Sequence, residues 1–269
     1  MLRLPSVAGS FYPADVAELS ALIAEYTKKH SGATSVNAKA CLVPHAGYIY
    51  SGHVAGAVFA KIHLPKKIVI LGVRHRPPGS PAAIISQGAW RTPLGDAMID
   101  EALAGALRRE CSLLREDAVA HSTEHSLEVQ LPFLQALDAG FTFVPIALGT
   151  LNFETLVSVG EAIGRVLAAE EQDVLLLTTS DLNHYEDDAT TRVKDGQAIE
   201  QLLNMDARSL FDTCRKEDIS MCGLGPAVAM LTALRALSAG KPELIRYATS
   251  GDISGNTEAV VGYAGMTFS

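Results

Sequence analysis

Five of the eight histidines in this 269-residue sequence stand beside Gly, Pro, Ser or Asp in segments that do not read as regular structure. They are His45, His75, His121, His125 and His184. A neutral imidazole binds metal ions and also transfers protons near neutral pH. A single histidine is more often a hydrogen-bonded structural group than a metal ligand. The position that these histidines share relative to the strands therefore has to distinguish a binding site from structural residues. The other three lack this setting or fall on helical faces: His30, His53 and His63.

Three of the five histidines follow short apolar runs that read as buried strands. His45 follows residues 40–43, His75 follows 68–71, and His184 comes shortly after 174–179. In an open α/β sheet, ligands bind at the carboxyl ends of the strands, because the loops that leave the strands meet there. The sequence therefore predicts a ligand site at that edge of the sheet.

The segment 121–128 offers two interpretations. His121 and His125 are four residues apart, so they would share a helix face and could bind one metal, although the order differs from the H-E-x-x-H zinc pattern. In the alternative, Ser122 or Thr123 caps this helix, and Glu124 and Glu128 lie in its early turns. The two interpretations can coexist.

Asp181 and Cys222 are further candidates. Asp181 precedes His184 by three residues, and its carboxylate either orients that imidazole for proton transfer or caps the next turn. Cys222 comes just before the Gly-Leu-Gly-Pro start of a predicted helix, where the helix dipole would stabilise a thiolate. A buried, inert thiol is the alternative. The remaining cysteines read as structural: Cys41, Cys111 and Cys214.

Alternating strands and helices predict an α/β fold with a mostly parallel central sheet and helices on both faces. The predicted strands are 40–43, 68–71, 83–86, 141–148, 174–179, 244–249 and 259–267. The predicted helices begin with 16–26, 53–62, 99–109 and 123–138, and continue with 153–168, 191–204, 206–213 and 223–239. Residues 5–13, 28–37, 90–96 and 251–255 read as irregular leader, loops or turn. No repeat or linker is evident, so we expect one domain, 1–269.

Composition excludes several classes of protein. Hydrophobic residues at 48% and charged residues at 19% are typical of a compact globular chain. A net charge of −8 argues against binding to nucleic acid or an anionic membrane. No stretch approaches the roughly 20 apolar residues of a membrane span. We expect a cytoplasmic protein, and the scattered cysteines without a C-x-x-C pair argue against a disulfide framework.

Six sequence blocks resemble the Memo family, whose prokaryotic members are also called AmmeMemoRadiSam system protein B. The blocks are Val7-Ala-Gly-Ser-Phe-Tyr-Pro13, Val43-Pro-His-Ala-Gly-Tyr48, Leu71-Gly-Val-Arg-His75, His121-Ser-Thr-Glu-His-Ser-Leu-Glu-Val-Gln-Leu-Pro132, Thr179-Ser-Asp-Leu-Asn-His-Tyr185 and Met221-Cys-Gly-Leu-Gly-Pro226. They span almost the whole chain in the expected order. The family in turn resembles the catalytic subunits of class III extradiol dioxygenases, which hold a mononuclear non-haem iron through two histidines and a glutamate.

This resemblance implies a metal site. His45 and His75 match the two histidine ligands of the family, and Cys222 matches the cysteine that replaces the dioxygenase glutamate. One departure is that Arg74 and Arg76 flank His75, which brings positive charge to the metal and favours an anionic ligand. A site with two histidines and a thiolate is softer than the dioxygenase triad. Iron is the favoured metal, with copper and zinc as alternatives.

The resemblance also implies roles in chemistry. His184 is similar to the acid/base histidine of the dioxygenases, His125 to a pocket histidine that holds the substrate, and Asp181 would support His184. The expected function is metal-dependent oxidation or oxygen activation of a small substrate, with hydrolysis as the nearby alternative. The competing hypotheses are a binding or adaptor protein without turnover, and an enzyme with Cys222 as nucleophile, activated by His45 or His184. Expected partners are a small-molecule or peptide ligand and other proteins of the AmmeMemoRadiSam system.

Overall fold

The structure is a computed structural model that describes residues 1–28, 35–138 and 140–269. His30 and most of the predicted loop at 28–37 lie outside the described residues. The strands are β1 (Leu2–Arg3), β2 (Ala40–Val43), β3 (Lys67–Val73), β4 (Ala82–Ile84), β5 (Ala89–Thr92), β6 (Gly95–Ile99), β7 (Arg115–Glu116), β8 (Thr142–Leu148), β9 (Val174–Thr179), β10 (His184–Glu186), β11 (Pro242–Thr249) and β12 (Val260–Phe268). The helices are α1 (Val16–Lys28), α2 (Tyr48–Lys61), α3 (Glu101–Glu110), α4 (Val119–Ser122), α5 (Leu131–Leu137), α6 (Phe153–Ala169), α7 (Asp188–Leu203), α8 (Ala207–Lys216), α9 (Leu224–Leu234) and α10 (Gly251–Ser254).

One sheet contains the strands of the described chain. Its main order is β1-β5-β6-β8-β3-β9-β2-β12-β10, with β11 paired to β12, β4 paired to β8, and β7 paired to β4. The central strands β6, β8, β3, β9 and β2 pair in parallel, whereas antiparallel pairs occur towards both sides. The predicted α/β fold with a mostly parallel sheet is therefore confirmed.

Alternate side chains of the central strands are buried on opposite faces of the sheet, as the two-residue period of a strand requires. In β3, Val69 and Leu71 belong to the core on the side of α3, α6 and α9. Ile68 and Ile70 belong to the core on the side of α1, α2 and α5. All four side chains are fully buried, which explains why β3 reads as an unbroken apolar run.

The strand order creates a crevice at the carboxyl edge. The chain passes from β3 to β8 on one side, and then crosses to β9 on the other side of β3. β2 lies next to β9, so the carboxyl ends of β2, β3 and β9 are neighbours. A reversal of this kind is where open α/β sheets bind ligands. The three strands that precede His45, His75 and the segment Asp181 to His184 therefore end beside one another.

Helix α2 begins at Tyr48, five residues before the predicted start near His53. Gly52 and Gly56 lie inside this helix, and a Cβ atom at Gly56 would approach the Tyr26 Cβ to 2.7 Å. These glycines therefore allow α1 to pack closely on α2. The start of α2 was not recognised from the sequence, because the glycines that lie at its contact with α1 are also typical of a flexible loop.

Two other predicted elements are wrong. Residues 90–96 form part of a hairpin between β5 and β6, in which Thr92 pairs with Gly95, although Pro93 suggested a loop. Residues 123–138 are not one helix, because a loop and a 3-10 turn (Glu128–Gln130) separate α4 from α5. Ser126 explains this break, since its hydroxyl bonds to both the N–H and the carbonyl of Val73 at 3.1 Å. Pro132 lies in the first turn of α5, where its missing N–H costs no helical hydrogen bond.

The last predicted elements are shorter or different. Helix α9 ends at Leu234 although the pattern extended to 239, and the glycine-rich turn at 251–255 contains the short helix α10. Strands β1, β7 and β10 each have two or three residues and were not predicted. Such short edge strands carry too few residues for a two-residue period to be recognised.

Candidate metal centre

The structure brings His45, His75 and Cys222 together at the carboxyl edge of the sheet. His45 lies two residues beyond β2, His75 lies two residues beyond β3, and Cys222 directly precedes the cap residue of α9. One potential ligand atom from each residue lies within 4.8 Å of those of the other two. Two nitrogens and one sulfur at this separation form a candidate site for a single metal ion.

Cys222 is fixed in place by the exit of β9. The Asp181 N–H donates to the Cys222 Sγ at 3.3 Å, and the Gly223 N–H donates to the Ser180 hydroxyl at 3.0 Å. A Cβ atom at residue 223 would overlap Ser180 and the carbonyl oxygen of Thr179. Glycine at this position therefore lets the start of α9 approach β9, which brings the thiol to the sheet edge.

His45 is buried, with 1% of its surface exposed. Its Nδ1 lies 2.9 Å from the Thr179 Oγ1, and its Nε2 lies 3.1 Å from the Cys222 Sγ. Burial lowers the pKa of His45 well below the ordinary range, and the neighbouring His125 and His75 add to this shift. The imidazole is therefore neutral, as a metal ligand must be.

His75 is oriented by Glu124. The His75 Nδ1 lies 2.9 Å from the Glu124 Oε1, and the His75 N–H donates to the Oε2 at 2.8 Å. Burial raises the pKa of Glu124, but the hydrogen bonds and charge of His75 and the Ser126 N–H outweigh it and hold that pKa at about 2. Because the ionised carboxylate only accepts, the Nδ1 of His75 carries a proton, and the tautomer that this contact selects offers the Nε2 lone pair to a metal.

His125 joins this group, whereas His121 does not. The His125 ring stacks on His75 with centroids 4.7 Å apart, and lies edge-on to His45 at 5.5 Å. His121 is buried elsewhere, with its Nδ1 2.8 Å from the Asp117 carbonyl and its ring 5.8 Å from Trp90. The prediction that His121 and His125 share a helix face is therefore wrong, because α4 ends at Ser122.

The capping interpretation is also wrong, because Ser122 is the last residue of α4 and Thr123 is its C-terminal cap residue. Glu124 binds His75, and buried Glu128 accepts hydrogen bonds from the N-terminal segment. Its donors include the Arg3 guanidinium at 2.6 Å and the Tyr12 hydroxyl at 2.7 Å. Both glutamates therefore hold together parts of the chain that are distant in sequence. The sequence shows two acidic residues close to two histidines, but this pattern does not indicate which partners the two glutamate side chains bind.

His184 is oriented by Ser220 and not by Asp181. The His184 Nδ1 lies 2.9 Å from the Ser220 carbonyl, which can only accept, so the Nδ1 is protonated and the Nε2 has the lone pair. Burial lowers the pKa of His184. The prediction that Asp181 orients this imidazole by a hydrogen bond is wrong, and the sequence offered no sign that Ser220 does so.

Asp181 instead supports the loop of His45. Its Oδ1 accepts from the His45 N–H at 2.8 Å and the Ala46 N–H at 3.3 Å, so it does not cap a helix among the described residues. Burial raises the pKa of Asp181 to about 6, against the opposing effect of these amides. Potential ligand atoms of Asp181, His184 and Cys222 also lie within 4.8 Å of one another. The acid/base candidates therefore border the candidate metal ligands.

The donor set fits a single transition-metal ion. His45 and His75 each have an Nδ1 engaged by the protein, which leaves the Nε2 as donor. Burial and the Asp181 carboxylate raise the pKa of the Cys222 thiol in the metal-free site. A cation at this position would favour the thiolate and offset that effect. Two imidazoles and a thiolate are ligands that zinc, copper and iron accept.

Sequence comparison identifies the family. The Memo family, described as Memo-like protein, matches residues 3–267. The chain belongs to the Memo family. MEMO1 family proteins of Methanopyrus kandleri and Methanocaldococcus jannaschii are similar to it at 40% and 39% identity. The first alignment covers 100% of this chain and 99% of that relative, and the second covers 98% and 97%. The resemblance noted in the six sequence blocks is thereby confirmed.

A solved structure shares the fold of this Memo family member. An uncharacterized protein from Escherichia coli K12 superposes with a TM-score of 0.53 at 13% identity, over 84% of this chain and 98% of that one. Identity at this level supports the fold and not the chemistry. Within residues 1–28, 35–138 and 140–269, no helix has both the length and the apolar character needed to cross a membrane.

Proposed function

We propose that this Memo family member is a metal-dependent enzyme that oxidises, or activates oxygen towards, a small substrate. The observation that supports this most is the convergence of His45, His75 and Cys222 within 4.8 Å at the carboxyl edge of the sheet. A bound redox metal would supply electron transfer and oxygen activation there. Iron is the favoured metal because of the resemblance to the extradiol dioxygenases, with copper or zinc as alternatives.

The residues around this centre provide proton transfer and binding. His184 presents an unprotonated Nε2 near neutral pH, which suits a general base that later returns the proton. His125, whose pKa burial lowers to about 4, is a neutral ring against which a substrate can rest. Asp181, with a pKa of about 6, holds the His45 loop and is a second proton carrier near neutral pH.

Metal content and oxygen consumption together test this proposal. Protein loaded with Fe(II), Cu(I) or Zn(II) without oxygen and then desalted should retain about one ion per chain for at least one metal. The exposed His63 provides a matched control, so His63→Ala should behave as wild type, whereas His45→Ala should lose the metal. With ascorbate as reductant, oxygen uptake should exceed that of the free metal and fall in His184→Gln at unchanged metal content. Uptake equal to that of the free metal would contradict catalysis.

A second candidate function is nucleophilic catalysis by Cys222. The 3.1 Å separation of its Sγ from the His45 Nε2 allows the thiol to donate its proton to this imidazole. Stoichiometric alkylation of Cys222 by iodoacetamide, unaffected by added metal, would support it. The raised pKa of the Cys222 thiol argues against a nucleophilic thiolate. Protection of Cys222 from alkylation by added metal would favour the metal centre.

The adaptor alternative and the cellular setting belong to the same proposal. A binding protein without turnover would show metal retention but no His184-dependent oxygen uptake.

We place the activity in the cytoplasm, which the free thiols of all four cysteines support, because disulfides are rare in reducing compartments. A small-molecule or peptide ligand and other proteins of the AmmeMemoRadiSam system are the proposed partners.

A further inference from the structure

A cavity of 660 Å³ opens directly beside the candidate metal centre. His75 and Cys222 are among the residues that line it. Much of the remaining wall is apolar and includes Leu148, Met221 and Leu224. Apolar walls with a small number of polar groups are typical of sites for small organic molecules. A ligand in this cavity would reach both residues.

The charged groups of the cavity favour an anion. Arg74 and Arg215 line it, and Asp218 contributes the one carboxylate of its lining. In the described part of the chain, neither arginine forms an ion pair with a carboxylate. The Arg74 Nη1 donates to the Arg76 carbonyl at 3.2 Å, while its Nε is shielded from solvent without a hydrogen-bond partner. A chain with a net charge of −8 thus keeps uncompensated positive charge beside His75.

Gly149 provides the space for the Arg74 guanidinium. It follows the last residue of β8, and a Cβ atom at this position would lie 2.7 Å from the Arg74 Nη2 and overlap the Nε. The guanidinium therefore packs against backbone at the exit of the strand next to β3. Any side chain larger than glycine would move the charge, so the backbone itself defines this position.

We propose that this cavity binds the carboxylate group of a small organic anion with an apolar body, and that Arg74 is the residue that holds it. A guanidinium can donate two parallel hydrogen bonds to a carboxylate, and the apolar wall would cover the rest of the molecule. Arg215, which is exposed at the cavity, adds attraction during approach. The identification of this anion as the substrate rests on the proposed function.

Benzoate, benzamide and inorganic phosphate are suitable probes, titrated into metal-free protein and followed by NMR. Benzoate should bind more tightly than the neutral benzamide, and Arg74→Met should weaken benzoate by about tenfold or more. Arg109→Met is the matched control, because Arg109 is an exposed arginine of α3 that does not line this cavity. This control should change benzoate affinity by less than about twofold. Gly149→Ala should weaken benzoate while leaving the fold intact by circular dichroism.

Equal benzoate affinity in wild type and Arg74→Met, or equal affinity for benzoate and benzamide, would overturn the proposal. Phosphate binding without benzoate binding would overturn the assignment to a carboxylate. Because the titration uses metal-free protein, its failure leaves the proposed metal centre untouched. Conversely, a chain that retains no metal but binds benzoate through Arg74 would contradict the proposed function alone.

Discussion

The Glu124 carboxylate contacts His75 through two hydrogen bonds, with its Oε1 2.9 Å from the ring Nδ1 and its Oε2 2.8 Å from the backbone nitrogen. The ring and the loop that carries it are therefore oriented together. The same Oε1 lies 3.5 Å from the His125 Nδ1, so one buried carboxylate also borders the second imidazole. This arrangement is the carboxylate–histidine pair that commonly supports a metal ligand from behind.

Glu124→Gln should weaken metal binding by about 10–100-fold, because the amide no longer attracts the Nδ1 proton as strongly and can donate in its place. Competition with a chromophoric chelator measures this affinity. Glu171→Gln, an exposed change of the same chemistry, is the control and should leave the affinity unchanged. Unchanged metal affinity in Glu124→Gln would show that His75 is not a ligand oriented in this way.

Gly223→Ala should destabilise the protein by about 1–3 kcal/mol, because the added Cβ overlaps Ser180 and the Thr179 carbonyl. It should also lower metal retention, since Cys222 must move with the chain. Gly196→Ala is the matched control, because it lies inside α7 and its Cβ would meet nothing within 4 Å. That change should stabilise by about 0.5–1 kcal/mol. Urea unfolding would compare the two, and equal effects would contradict the close approach at Gly223.

Glu128→Gln should cost about 3–5 kcal/mol, because it leaves the buried Arg3 charge without its partner at 2.6 Å. Arg3 also lies 4.1 Å over the Trp90 ring and donates to the Glu124 carbonyl, so the loop beside His75 should loosen as well. The exposed pair of Lys216 and Glu217 has an N–O distance similar to that of Arg3 and Glu128. Glu217→Gln should nevertheless lower the free energy of unfolding by less than about 1 kcal/mol. A comparable loss from both variants in chemical denaturation would refute this ranking.

The stability of the metal-free protein should fall as the pH falls from about 6.5 to about 4, in part because of His121. Burial lowers the pKa of His121 to about 4, so the unfolded chain takes up this proton at a higher pH than the native chain. The contribution of this residue is therefore fully present above the unfolded pKa, and is lost as the pH falls through the window, by roughly 3 kcal/mol.

Urea unfolding at several pH values in this window measures the effect. His121→Gln, compared with wild type in the same buffers, removes the titrating group while keeping a polar side chain. The slope of unfolding free energy against pH should become smaller in this variant. Parallel slopes would mean that His121 does not titrate in the expected direction. Chelator in every sample prevents metal release from adding its own pH dependence.

The central sheet and the metal-ligand candidates were accessible from sequence for a physical reason. Strands buried on both faces must be apolar throughout, so β2, β3 and β9 are visible as runs. Parallel strands place their exits at one edge, so His45 and His75 could be expected to meet. The convergence of Cys222 on these strands came from the family resemblance, because no local pattern relates residue 222 to residue 45.

The supporting residues were not predictable, because tertiary contacts override local pattern. The helical spacing of Leu127, Leu131 and Leu134 suggested one helix, yet Ser126 and Glu124 bind the exit of β3 and break it. The partners of these side chains lie about fifty residues away in the chain. A single sequence carries no information on such pairs, which also explains why the orienting role of Ser220 was assigned to Asp181.

X-ray absorption spectroscopy of metal-loaded protein tests the central claim most directly. Zinc bound by His45, His75 and Cys222 should show one sulfur at about 2.3 Å and at least two imidazole nitrogens at about 2.0–2.1 Å. Cys222→Ala should lose the sulfur, whereas Cys111→Ala, a change at a buried cysteine beside α3, should retain it. A first shell without sulfur in the wild type, or one that keeps its sulfur in Cys222→Ala, would contradict the assignment of these three residues as the metal ligands.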